Sequence, residues 1–380
     1  MENICKICNY DNLELIYNIN LKDISYIYDM GNINIVSCNN CGFCFNNKIS
    51  QNDCNEYYSK SNNYTNDLYR TKLLQHDRYN HFKNLLKELN INNDDSIIDL
   101  TASDGSLLLY LEYLGYNNLT YCDISELNVN NFNYKNKYKL NIIDSNDYNR
   151  INKKYKLIIL SHTLEHLSDL KNIFENIKIL MDEESFLYIE VPDMNRIKCN
   201  NNAFLELTYE QINFFNLNSL NNLCNKNNLI NINSGILDFK YRLNLSINAF
   251  YGVYKINNKL INNYICDDIS KINLKKYIKD SENEMSLIYN KIDNSIVYSL
   301  VGVGLYSLYF INIYKDIKIN NFYDDVKIGT IQNIPIKKIK EIQDNEKILI
   351  LTPCYYDKIY ENLIKNNINP NNIIKLYNKN

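Results

Sequence analysis

The feature that most constrains this chain is the run over residues 96–191, where short apolar stretches alternate with segments whose apolar residues recur every three or four positions. Apolar stretches fall at 96–100, 119–123, 140–143, 157–160 and 186–191, the last ending at Pro192. Helical periodicity falls at 106–114 and at 169–181, where Leu170, Ile173, Phe174, Ile177 and Leu180 share one side. Strands apolar on both faces and separated by helices are buried together only in a parallel sheet with helices on each side. A helix over 71–89, with Phe82, Leu85, Leu86 and Leu89 on one face, leads into this pattern. A helix near 219–224 and strands near 229–232 and 250–256 complete it. The expectation is a doubly wound α/β domain over 71–257.

Both flanks differ from this core. Residues 1–70 hold short strand-like pieces between Cys5-Lys6-Ile7-Cys8 and Cys38-Asn39-Asn40-Cys41, too little chain to be stable by apolar burial alone. Two Cys-x-x-Cys pairs separated by about thirty residues suit a structural zinc ion, because each pair forms a knuckle and the loop lets the knuckles meet tetrahedrally. Cys5, Cys8, Cys38 and Cys41 are the expected ligands, with Cys44 and Cys54 as spares able to replace one of them. Four thiolates leave no open position, so the ion would contribute folding energy and not chemistry. Past a polar helical connection at 257–293, the strand-and-helix logic repeats on a smaller scale. A strand over 296–301 meets Gly302-Val303-Gly304, followed by strands near 317–323 and 347–352 and a helix near 355–365. The expected third part, over 258–380, is that connection and a smaller Rossmann-like α/β domain.

Composition narrows the function. A formal net charge of -3 with 22% charged residues gives no basic excess, so neither nucleic acid nor anionic lipid is an expected partner. No uninterrupted apolar stretch approaches the roughly 20 residues of a membrane span. Eleven cysteines, an odd number, in a chain without a signal-peptide pattern fit a reducing, cytoplasmic setting better than a disulfide framework. A small polar substrate is expected.

The chemistry-bearing segments lie at strand ends. Asp99-Leu100-Thr101-Ala102-Ser103-Asp104-Gly105 ends a strand in a turn of small residues and opens a helix, the place where open α/β sheets bind ligands. A dinucleotide site calls for three glycines so that backbone can approach a pyrophosphate, and only Gly105 is present. A nucleoside cofactor without phosphate, such as S-adenosylmethionine, needs only the small turn for its amino-acid part and an acidic group for its ribose. Asp123, followed by Ile124, ends the second strand where such an acidic group belongs, and Asp144 follows the third strand, placed for the adenine edge. The bland alternative is that these aspartates merely cap the helices that follow.

Beyond the fourth strand, Ser161-His162-Thr163-Leu164-Glu165-His166 borders the same end of the sheet. Its H-x-x-E-H spacing matches inverted zinc proteases, but those need both histidines on one helix face, and here the motif leaves a strand and enters a loop. Ser161 and His162 are therefore candidates to touch the cofactor, and His166 is a candidate base or substrate-orienting group. Alternatively Glu165 and His166 only cap and pack against the next helix. Tyr209-Glu210-Gln211-Ile212-Asn213-Phe214-Phe215 sets polar groups beside aromatics over the same end, unless the aromatics are core and Glu210 solvated surface.

In chain order, the cysteine head, the Asp99 to Gly105 turn, the Leu164-Glu165-His166 loop, the Tyr209 to Phe215 segment and the Gly302-Val303-Gly304 tail resemble the three-part sugar C-methyltransferases. The resemblance spans essentially the whole chain. It implies a zinc-binding head, a central class I (Rossmann-like) S-adenosylmethionine-dependent methyltransferase domain, and a C-terminal Rossmann-like domain that helps to hold a nucleotide-linked sugar. The family's cofactor turn reads G-S-N-D-G, matched here by Thr101-Ala102-Ser103-Asp104-Gly105, with Thr101 at the first glycine. Where the family reads Y-H-E-H-x-x-Y-F, this chain reads Thr208-Tyr209-Glu210-Gln211-Ile212-Asn213-Phe214-Phe215, so Gln211 stands at the proton-abstracting histidine. An uncharged amide takes no proton at neutral pH. That brings the chain nearer to relatives reading E-H-I-N-F-F, whose acceptors are varied and often belong to surface-glycan pathways, and leaves oxygen methylation open with His166 or Glu210 as base. Tyr58 stands near the family's active-site tyrosine, with Tyr57 and Tyr64 competing for that alignment, and Asp324-Asp325-Val326-Lys327-Ile328-Gly329 resembles its D-D-x-x-K-x-G stretch. The remaining alternatives are a non-catalytic binding or scaffold protein that kept the fold, and a nicotinamide-dependent enzyme using Gly302-Val303-Gly304.

Overall fold

The computed structural model describes residues 4–20, 32–52, 75–134, 136–142, 144–199, 203–208, 210–242, 245–257 and 264–377. The chain divides into two compact units. One comprises Met1–Glu14, Val36–Arg196 and Ile212–Lys271, the other Leu15–Ile35, Ile197–Gln211 and Ile272–Asn380. Strands β1 (Leu13–Asn20) and β2 (Asn32–Cys38) belong partly to each, and β3 (Cys44–Asn46) lies in the first.

The first unit is built on the alternation legible in the sequence. Helix α1 (His76–Glu88) precedes β4 (Ile97–Asp99), then come α2 (Ser106–Tyr113), β5 (Leu119–Asp123), α3 (Glu126–Asn131), β6 (Lys137–Lys139), α4 (Ser145–Ile151), β7 (Leu157–Ser161), α5 (Leu170–Ile179) and β8 (Phe186–Pro192). After β9 (Asn213–Phe214) and α6 (Leu217–Lys226), β10 (Leu229–Arg242) and β11 (Leu245–Ile256) form a long hairpin. The sheet order is β10-β11-β8-β7-β4-β5-β6, parallel from β8 to β6 and antiparallel at the hairpin. Successive residues point to opposite faces, so Ile98, Ile158 and Leu187 pack with Phe174, Ile177 and Leu220 on one side. Ile97, Ile159 and Tyr188 pack with Phe82, Leu86, Leu108 and Leu111 on the other. The connections from β4 run to β5 on one side and its other neighbour is β7, so the sheet reverses direction at the carboxyl end of β4, where a ligand crevice opens in such folds.

Three details differ from the sequence reading. The third strand is Lys137–Lys139, and Leu140 and Ile142, expected inside a strand, are buried from the turn that follows it. Helices α3 and α4 went unanticipated because each is too short to show a period. The last two strands are longer than expected and antiparallel, because they are joined directly as a hairpin without a crossover helix.

The second unit includes α7 (Ile269–Tyr289) except its first turn, which belongs to the first unit. It contains β12 (Val297–Val301), α8 (Leu305–Ile313), β13 (Lys318–Tyr323), β14 (Thr330–Ile331), β15 (Ile334–Lys337), β16 (Lys347–Leu349) and α9 (Tyr356–Lys365), with sheet order β14-β15-β13-β12-β16. The Asp324 carboxylate accepts from Val303 N at 3.0 Å and from Val326 N and Lys327 N at 2.8 and 2.9 Å, which fastens the glycine turn after β12 to the loop after β13. Among the described residues no helix is long and apolar enough to cross a membrane.

Candidate active site

The turn after β4 is shaped by left-handed backbone at two positions, Ser103 at φ 50° and Gly105 at φ 67°. At Gly105 a Cβ would stand 1.9 Å from the Phe132 ring, so only glycine fits. Asp99 is buried and its carboxylate accepts from Thr101 N at 3.2 Å. Burial pushes its pKa up to about 7, with Asp123 and Asp104 adding to the rise against the Thr101 amide and Arg78. Asp123 accepts from Ser103 N at 2.9 Å and from Ser125 N at 2.8 Å, which ties the ends of β4 and β5 together. Its pKa is also raised, by burial. Asp104 instead closes its own turn by accepting from Ser106 N and Oγ at 3.0 and 2.7 Å. Ala102 N donates to Cys122 O at 2.8 Å, and Ile124 lies half-buried beside this group.

Three carboxylates around one short turn make a poor seat for phosphate and a fitting one for a cation with hydroxyls nearby. Asp144, by contrast, is the N-cap of α4, its carboxylate accepting from Asn146 N at 2.9 Å. That is the capping use weighed for it in the sequence.

The end of β7 faces this turn. Thr101 Oγ1 and Thr163 Oγ1 lie 2.5 Å apart, a hydroxyl pair that a glycine at position 101 could not make. Ser161 Oγ accepts from Arg78 NH2 at 2.5 Å. His162, at φ 48°, places its Nδ1 3.2 Å from Glu165 Oε1 and its Nε2 3.0 Å from Glu190 Oε1, the second contact being off the line of a good hydrogen bond. Burial works to lower the His162 pKa, but the two carboxylates outweigh it and raise it to about 9. Burial likewise works to raise Glu190, yet Arg78 first, then His162 and Tyr188, hold it at about 2. Arg78 Nε lies 2.8 Å from Glu190 Oε1, and Tyr188 OH donates to Glu190 Oε2 at 2.6 Å. His166 Nε2 stands 3.7 Å from Glu165 Oε1. Glu165 does not cap α5, since Asp169 does so by accepting from Asn172 N at 3.1 Å.

The segment after Gln211 docks on this loop. Ile212 N donates to Glu165 O at 2.9 Å, and Asn213 Nδ2 donates to Leu164 O and Leu167 O at 2.9 and 2.6 Å. Asn213 and Phe214 form β9, which pairs with Phe45 and Cys44 of β3. Gln211 is buried, its N donating to Thr208 O at 3.1 Å, and with Glu210 it falls in the second unit. Tyr58 and Tyr209 lie outside the described residues.

Cys5, Cys8, Cys38 and Cys41 converge, their sulfurs all within 4.8 Å of one another. Cys5 and Cys41 sulfurs are 3.6 Å apart and those of Cys8 and Cys38 3.5 Å. Tetrahedral bonds of about 2.3 Å to zinc would set neighbouring sulfurs about 3.8 Å apart, close to these spacings. Ile7 N and Asn40 N each donate to a cysteine sulfur at 3.4 Å, stabilising negative charge there. Cys5, Cys38 and Cys41 compete for protons: Cys38 raises Cys5 to about 12, and Cys41 holds Cys38 down near 2. A divalent cation would relieve that competition.

Arg78 and Glu190 were missed in the sequence. The signal was present: Glu190 is the one charged residue in the otherwise apolar strand Phe186–Pro192, and all of that strand but its terminal proline is buried.

Residues 74–234 match a family model described as a methyltransferase domain. Similar solved structures include a SAM-dependent methyltransferase from Methanosarcina mazei, at 15% identity over 44% of this chain and 95% of that one, TM-score 0.35. A SAM-dependent methyltransferase from Bacteroides fragilis in complex with S-adenosyl-L-homocysteine aligns at 14% identity over 45% of this chain and 76% of that one, TM-score 0.32. Magnesium protoporphyrin IX methyltransferase from Synechocystis, with bound SAH, aligns at 12% identity over 53% and 93%, TM-score 0.38. No curated protein matches the chain.

Proposed function

We propose that this S-adenosylmethionine-dependent methyltransferase acts on a sugar or nucleotide-linked sugar, in surface-glycan synthesis, with a structural zinc ion held by Cys5, Cys8, Cys38 and Cys41. The observation that carries the cofactor site is the acidic turn: buried Asp99 and Asp123 at adjacent strand ends, with Asp104 between them in the chain. Bound there, the cofactor supplies an electrophilic methyl group on a sulfonium. The protein's part is to hold acceptor and methyl in line and to take up a proton.

Thr101, Ala102, Ser103 and Gly105 would line the amino-acid part, and Asp123 with Ile124 the ribose. Ser161 and His162 would close the floor. His166 is the favoured proton acceptor. Gln211 cannot abstract a proton from carbon, which favours an oxygen acceptor served by His166. Calorimetric titration with S-adenosylmethionine tests the cofactor half, and absence of binding at millimolar concentration would sink it. Mass spectrometry of nucleotide sugars incubated with the enzyme and methyl-labelled cofactor tests the acceptor half. Labelled product from a non-sugar acceptor alone would overturn the sugar reading, and binding without any product would leave a non-catalytic binder.

A further inference from the structure

The strongest unexplained feature of the first unit is a row of ionisable side chains built around two buried carboxylates. It begins at Arg78 on α1, passes through Glu190 of β8 to His162 at the end of β7, and continues through Glu165 to His166. The successive contacts measure 2.8, 3.0, 3.2 and 3.7 Å. Both carboxylate side chains are 1% exposed. Two carboxylates facing the two nitrogens of one imidazole ask for a proton on each nitrogen, since a bare ring nitrogen would set lone pair against lone pair beside a buried carboxylate.

We propose that His162 is a positioning residue charged at neutral pH: an imidazolium clamped between Glu190 and Glu165, which fixes the Glu165 carboxylate beside His166 so that His166 can take a proton during methyl transfer. The proposal rests on the reading of His166 as proton acceptor. Arg78 and His162 share Glu190 Oε1, at 2.8 and 3.0 Å, while Tyr188 OH donates to Oε2, so this carboxylate is held ionised between two cations. The Glu165 Oε2 atom is buried and makes no hydrogen bond among the described residues, so the carboxylate keeps capacity to compensate the positive charge that His166 acquires. In the step itself the acceptor's oxygen–hydrogen bond breaks as its proton passes to a His166 ring nitrogen, while the oxygen's electron pair forms the bond to the incoming methyl carbon. The carbon–sulfur bond of the cofactor breaks and its electrons remain on sulfur. His162 neither gains nor loses a proton.

His162 faces Glu190 of β8, Glu165 of its own loop and the Phe239 edge at 5.6 Å from β10; Glu190 in turn has Tyr188 of β8 and Arg78, Tyr79 and His81 of α1 around it, and Glu165 has His166. Only four histidines are present, so imidazole signals are assignable by single substitutions. The experiment is nitrogen-15 NMR of the histidine rings in the full wild-type chain from about pH 6 to about pH 9, where ordinary histidine titrates near 6.5. Both His162 nitrogens are expected to stay protonated at about pH 7.5, and E190Q, checked for folding by circular dichroism, to lower the His162 midpoint at least tenfold in proton concentration. A neutral His162 tautomer at about pH 7.5, or a midpoint unmoved in E190Q, would overturn the proposal. In turnover assays, E190Q is expected to lower kcat at least tenfold, with cofactor Kd changed less than about threefold. Equal loss in both would also overturn it. If instead H166N keeps full activity while His162 stays charged, the base assignment fails and the charged clamp stands.

Discussion

Asp99 is a buried acid whose pKa has been driven to about 7, chiefly by burial, so near neutral pH it is divided between neutral and ionised forms. A cationic ligand beside it favours the ionised form and lowers that pKa. Cofactor binding near pH 7 is therefore expected to release a fraction of a proton, and affinity to rise as pH climbs through 7 and then level off. Calorimetry in buffers of different ionisation enthalpy measures the release, and D99N should abolish it. Asp123 has a different role, because it holds Ser103 and Ser125 amides as well as facing the site. D123N should weaken cofactor binding at least tenfold, read by the same titration. At Gly105 the left-handed backbone and the adjoining Phe132 ring both oppose a side chain. G105A should cost on the order of 3 kcal/mol, seen as a lowered midpoint in chemical denaturation.

At the scale of elements, the cysteine knuckles govern a segment with little core of its own. Cys38 ends β2, Gly42 turns the chain at φ 76°, and Cys44 opens β3, which pairs with β9 directly after the Glu165-docking residue Ile212. A metal at the knuckles thus bears on the strand that supports the His166 loop. Purified protein is expected to carry about one zinc per chain by elemental analysis, and C41S or chelation to lower the thermal midpoint by several degrees. A chain that binds no zinc yet keeps its midpoint under chelation would contradict this. The start of α6 shows the same logic without metal. Asn216 and Ser219 form a reciprocal capping box, and Asn216 Nδ2 also donates to Asp267 and Ser270 at 2.7 and 2.6 Å. N216A should cost about 1–2 kcal/mol.

For the whole molecule, the buried charges define a pH window. The His162 pKa is raised in the folded state, so its contribution is complete below its ordinary value near 6.5 and is lost as pH rises through about 9. Glu190 is depressed, so its contribution is complete above its ordinary value near 4.5 and is lost as pH falls toward about 2. Asp99, raised from 3.8 to about 7, adds a fall in stability as pH climbs between those values, so the His162 part is read by difference: in urea unfolding the gap between wild type and H162Q should be constant below about 6.5 and shrink as pH rises toward about 9. By itself the sequence determined the parallel α/β core, the acidic turn after β4, Asp123 at the end of β5 and the two cysteine pairs. These are legible because apolar period, turn composition and ligand spacing are local properties of a chain. Only tertiary structure decided that Asp144 caps a helix, that Thr101 meets Thr163, and that Arg78, Glu190 and His162 form one row of charge. Those residues are separated by long stretches of sequence, and their pairing follows from sheet order and burial, which bring α1, β7 and β8 to one end of the sheet.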